Sequence, residues 1–217
     1  MGKLFSLDSP IMRFLGKVTD CVILNLYWII CCIPIVTIGA STTAFYYTVT
    51  KVIRNDRGYI TKEFWKSFKS NFKQSTIVWL MILAIYVLAY FDCFYAFVLM
   101  KAGTLPKIAF WFMIVIFALV LMWTVYLLPY IARFTNTTKE ILKNSVFLMF
   151  RNFFWSVQNL IIFVATVVLV LMIPALILAL PVICMLLISM SLERVFRKYM
   201  TPEDMELEDE RNRQYYN

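Results

Sequence analysis

"NFFWSVQNLIIFVATVVLVLMIPALILALPVICMLLISMSL", residues 152–192, runs for 41 residues without an Asp, Glu, Lys or Arg. About 20 apolar residues, as a helix, cross the hydrocarbon core of a bilayer. At 1.5 Å per residue this stretch is about twice that thickness. It reads as two membrane helices, 157–173 and 180–198, with Pro174 and Pro181 flanking the turn between them.

Two more stretches carry the same sign. Between Thr76 and Met100 the only charged residue is Asp92, and between Ile108 and Ala132 there is none. The chain of 217 residues is 62% hydrophobic and 16% charged, with a mean hydropathy of +0.76. A soluble domain lies nearer half apolar and a quarter charged. The polar segments 52–75 and beyond 196 are too short to bury cores of their own. The expected fold is therefore all-α: a polytopic membrane bundle forming one domain over residues 1–198, with an acidic cytoplasmic tail at 199–217. Its helices are expected near 20–34, 41–54, 76–100, 108–132, 157–173 and 180–198. Interfacial helices are expected at 61–74 and 138–152. The start of the chain, with Ile11, Leu15 and Val18 at helical spacing, suits the membrane interface. It lacks the cleavage pattern of a signal peptide.

The first apolar run halts within "CCIPIVTIGASTTAFYYTVTKVIRNDRG", residues 31–58. Pro34 lacks a backbone donor and Gly39 takes conformations closed to other residues, so the segment suits a tight reversal. Ser41 or Thr42 would cap the returning helix. In lipid, irregular backbone persists only where protein or water shields it, and the small residues after Pro34 would let the returning helix pack closely.

If residues 41–54 cross back, the chain has six membrane helices; if they lie on the surface, it has five. Basic residues favour the cytoplasmic side. Residues 51–73 carry seven and 133–151 carry four, whereas Lys101 and Lys107 are the only two between the third and fourth helices. Six crossings put both chain ends with the basic loops and leave two of 21 basic residues outside. We therefore prefer six.

"TKEFWKSFKSNFKQS" (61–75) and "TKEILKNSVFLMFRNFFWS" (138–156) open alike and each precedes a membrane helix. In the first, Phe64, Phe68 and Phe72 form a stripe with Lys62, Lys66, Lys69 and Lys73 elsewhere, the pattern of a helix resting on anionic lipid headgroups. Together they imply a duplicated unit whose pseudo-twofold lies along the membrane normal.

Chemistry is sparse. Asp92 is a carboxylate inside an apolar span, where charge is costly and often functional; protonation, interfacial hydration, or a hydrogen bond to Tyr86, Tyr90 or Tyr95 would also satisfy it. Asn25, Gln158 and Asn159 are amides suited to bonding between helices. Lys17 and Asp20 are spaced to pair. There is no His, which removes the usual proton carrier near neutral pH. No nucleotide loop, hydrolase elbow or pair of embedded carboxylates is present. Cys21, Cys31, Cys32, Cys93 and Cys184 lack metal-ligand spacing and read as reduced packing residues. We expect no catalytic residue, cofactor or metal, and no nucleic-acid partner, since the net charge of +8 borders membrane helices.

"LYWIICCIPIVTIGASTTAFYYTVTKVIR" (26–54) and "LPYIARF…TKEILKNSVFLMFRNF" (128–153) resemble the YesL family of bacterial membrane proteins. The most specific part is Trp28, Pro34, Thr37, Gly39, Ala40 and Ala44. The family has no established activity, so the resemblance implies no catalytic residues. It implies a multi-pass protein of the bacterial cytoplasmic membrane that accompanies carbohydrate-uptake ABC transporters. The expected function is a non-enzymatic accessory to such a transporter, with permease subunits as partners. The alternative is a small transporter or channel built on Asp92, Asn25 and Gln158.

Overall fold

A computed structural model describes residues 10–99, 103–200 and 205–206. Among these there is no strand. Seven α-helices follow one another: α1 Pro10–Cys32, α2 Ile38–Thr48, α3 Ile60–Val98, α4 Thr104–Arg133, α5 Thr138–Arg151, α6 Phe153–Met172 and α7 Leu180–Lys198. Short 3-10 turns lead into α2 and α7, and α2 ends in a π-turn, Val49–Ile53. Helices α1, α3, α4 and α6 are long and apolar enough to cross a membrane. Of the other segments expected to cross, α2 has only 11 residues, and α7 carries Glu193, Arg194, Arg197 and Lys198 in its last turns. The acidic tail lies almost wholly outside the described residues.

α2 is the centre of the bundle. Ala40, Ala44 and Val49 are 0% exposed, and Phe45 and Tyr46 are 1%. It runs antiparallel to α1: Ser41 Oγ donates to the Trp28 carbonyl at 3.1 Å. The hairpin brings Lys17 and Asp56 together at 2.9 Å. Lys17 thus pairs with Asp56, rather than with Asp20 as its spacing suggested. α2 also runs antiparallel to α3, with Lys51 bonded to Glu63 at one end and Gly39 against Ser75 and Trp79 at the other.

Gly39 makes that last contact possible. A Cβ there would collide with Trp79 Cβ and lie 2.7 Å from the Ser75 carbonyl oxygen. Hydrogen removes the obstacle, so the two backbones touch. The helix starts earlier than Ser41 or Thr42 would set it, with Thr37 at the cap position.

Three further differences from the sequence reading have physical causes. The expected break between an interfacial helix at 61–74 and a membrane helix at 76–100 does not exist. α3 is one helix of 39 residues, about 58 Å long, because Gln74, Ser75 and Thr76 break no helix. Phe64 does not face the headgroup boundary: it is 0% exposed and its ring lies 5.8 Å from that of Tyr27. The two "TKE" starts also diverge. Glu63 turns inward to Lys51, whereas Glu140 closes a capping box with Thr137. The second copy breaks at Asn152 into α5 and α6, where the first runs straight on.

In that box the Thr137 backbone N–H donates to Glu140 Oε2 at 2.9 Å, and the Thr137 hydroxyl donates to the same oxygen at 2.8 Å. These bonds from Thr137 hold the Glu140 carboxyl below its ordinary value. A depressed folded value means the cap contributes above the ordinary carboxylate pKa and is lost as pH falls through the lowered one. Protection against amide exchange at the start of α5, corrected for the intrinsic rate at each pH, should therefore fall only on acidification below the ordinary Glu range, about pH 4.3. Glu140→Ala should show the lowered protection already at neutral pH. At the α2–α3 contact, Gly39→Ala should destabilise the protein by about 2 kcal/mol in thermal or denaturant unfolding in detergent.

Candidate functional site

The residues around Pro34 form a self-satisfied turn. Proline ends α1, leaving carbonyls of its last turn without helical donors. The Thr37 hydroxyl lies 2.6 Å from the Cys31 carbonyl oxygen and 2.8 Å from that of Pro34, donating to one at a time. Trp28 Nε1 donates to Thr42 Oγ1 at 3.2 Å, and its ring lies 5.3 Å from that of Phe45. Trp79 Nε1 donates to the Ile35 carbonyl at 2.8 Å. Of the signature residues, Trp28, Pro34 and Thr37 build the turn, while Gly39, Ala40 and Ala44 give α2 its narrow packing face.

The amides and Asp92 do not converge. Asn25 is buried and its Nδ2 donates to the Leu178 carbonyl at 2.6 Å, tying α1 to the turn before α7. Asn159 is buried with its amide atoms unpartnered among the described residues, and Gln158 is half-buried on the same helix. Asp92 faces outward from α3. Tyr86, one of its expected partners, bonds instead to Thr124 at 2.7 Å. Among the described residues no group of His, Cys, Asp and Glu has the arrangement of a metal site.

The charged centre lies where the sequence did not point. Glu193 on α7 is 5% exposed and Glu63 on α3 is 4%. Tyr46 Oη donates to Glu193 Oε1 at 3.0 Å, and Arg133 Nη2 lies 3.4 Å from Glu193 Oε2. One carboxylate thus joins α2, α4 and α7. Lys51, in the π-turn, donates to Glu63 Oε2 at 2.8 Å and approaches the Tyr47 hydroxyl at 3.2 Å. Gly58, at φ +84, lets the preceding loop fold over Glu63, where a Cβ would sit 3.0 Å from Oε1. Arg54 reaches the Ser189 carbonyl at 3.3 Å. Two buried carboxylates therefore flank α2, and both are neutralised by cations from other elements.

One signal did exist. Glu193 is the first acid after Glu140, set at the end of the apolar part of α7. Its partner Tyr46 is 147 residues away, so only the fold reveals the pairing. A buried pair that loses one member leaves the other charge poorly solvated. Glu193→Ala should cost about 3 kcal/mol, and Tyr46→Phe about 1 kcal/mol, both measured by unfolding in detergent.

A family model described as "Protein of unknown function, DUF624" matches residues 21–93. The match takes in the second half of α1, the Pro34 turn, α2 with its π-turn, and α3 as far as Cys93. Comparison with curated proteins and with solved structures returns no match. Over this third of its length the chain is similar to that family.

Proposed function

We propose that the chain is a non-enzymatic integral protein of the bacterial cytoplasmic membrane that assists another membrane assembly. The observation that carries this reading is the closed centre. α2 occupies the middle with Ala40, Ala44, Phe45 and Tyr46 essentially unexposed, leaving its polar groups paired within the protein. The residues that a transport pathway would have needed are dispersed, with Asn25 tied to the turn before α7 and Asp92 on the outside. A packed bundle with exposed apolar helices suits holding and docking better than conduction.

The YesL resemblance, to which the DUF624 match gives partial support, makes the assisted assembly a carbohydrate-uptake ABC transporter. A tagged copy from cells grown on the relevant glycan should co-purify with permease subunits in mild detergent. Its repeated recovery alone would sink this reading. The buried Glu63 and Glu193 are the one feature favouring a small transporter instead. Solute flux through the purified protein in liposomes, abolished by Glu193→Gln, would decide for that alternative.

For topology we propose six crossings with both ends in the cytoplasm. The Lys17–Asp56 contact supports this, because it returns the chain after α2 to the side where α1 begins. Single cysteines at Val36 and Lys107 should both label from outside intact cells, and cysteines at Lys17 and Lys62 should not. Labelling of Val36 and Lys107 from opposite sides would reject the six-crossing arrangement.

A further inference from the structure

Beyond Tyr86 on α3 and Leu119 on α4, the two helices form an arm. They lie against each other, with Phe97 5.9 Å from Phe110. Their outer faces are bare: Leu88 is 65% exposed, Tyr95 68% and Trp111 65%. Lipid covers such a surface without penalty. It does not cover Asp92, which stands on the Leu88–Tyr95 face and meets no cation among the described residues. Six residues separate it from the end of α3 at Val98, about 9 Å, which is farther than a short Asp side chain reaches. A charge exposed to hydrocarbon costs several kcal/mol unless a partner or water takes it up.

We propose that this face binds a membrane-spanning helix of another protein, which lays apolar side chains over Leu88 and Tyr95 and brings a Lys or Arg to Asp92. Charge complementarity selects the occupant. A second copy of this chain fits poorly, because like-oriented copies place carboxylate beside carboxylate. The only cations between residues 76 and 132 are Lys101 and Lys107. Lys107 is three residues before Phe110 and Phe97 five after Asp92, and the helices are antiparallel with Phe97 level with Phe110, so the offset is eight residues, about 12 Å. The proposal deepens the accessory reading by naming the surface through which the chain docks.

The test uses the purified full chain in phosphatidylcholine vesicles. The probes are labelled Leu/Ala helices of about 23 residues, bearing one Lys, one Glu or no charge at the depth of Asp92. Energy transfer reports binding. The Lys helix should bind about tenfold more tightly than the uncharged one. That preference should survive in Asp92→Glu and vanish in Asp92→Leu, with the Glu helix binding most weakly. Equal binding of the three probes, or a preference that persists in Asp92→Leu, would overturn the proposal. So would self-association of labelled chains that depends on Asp92, which would assign the face to a second copy. Because the assay needs no native partner, capture of the Lys helix by a chain that never co-purifies with a permease would refute the transporter reading and uphold this one.

Discussion

The backbone of Gly39 resting on α3 is the contact on which the rest of the arrangement depends. It draws α2 to within touching distance of Ser75 and Trp79. Only at that separation do Lys51 and Glu63 meet, at 2.8 Å, at the other end of the same helix pair. The remaining elements then close around α2: α1 through Trp28 and Ser41, α4 through Arg133, and α7 through Glu193. Little hydrophobic force drives helices together in lipid, so small residues and polar bonds carry the association. This chain uses both on one short helix.

The two buried ion pairs follow from that geometry. Each carboxylate takes its cation from a different helix, so each pair fixes a relation between elements as well as balancing charge. Such pairs contribute less to net stability than their distances suggest, because desolvation opposes the attraction. Their value lies in register. Glu193 can meet Tyr46 and Arg133 together in one placement of α7 only. The bundle so fixed has a filled middle and a two-helix arm reaching past it, and the arm carries Asp92 on its surface.

Much of this was legible in the residues. The apolar runs gave the all-α membrane class, Pro34 gave the reversal, and α7 ends where the sequence placed it. The break expected after Gln74 rested on a change of solvent from lysine-rich to apolar, and a helix crosses such a change without interruption unless Pro or Gly stops it. The inward turn of Glu63 was hidden because an exposed lysine stripe surrounds it. The outward aim of Asp92 was hidden for the opposite reason. When nearly every residue of a helix is apolar, periodicity no longer tells the packed face from the lipid face. The stripe of α3 that packs on α4 is set by Ile82, Tyr86 and Ala96, and Asp92 lies off it.

The enclosure of α2 is most directly tested by methyl NOE spectroscopy on the protein in lipid nanodiscs. Ala44 shares a packed cluster with Leu24, Phe64 and Val182. The Ala44 methyl should therefore show cross-peaks to Leu24 and Val182 and none to lipid acyl chains. Strong acyl-chain cross-peaks at Ala40 and Ala44, with the protein contacts missing, would contradict the account.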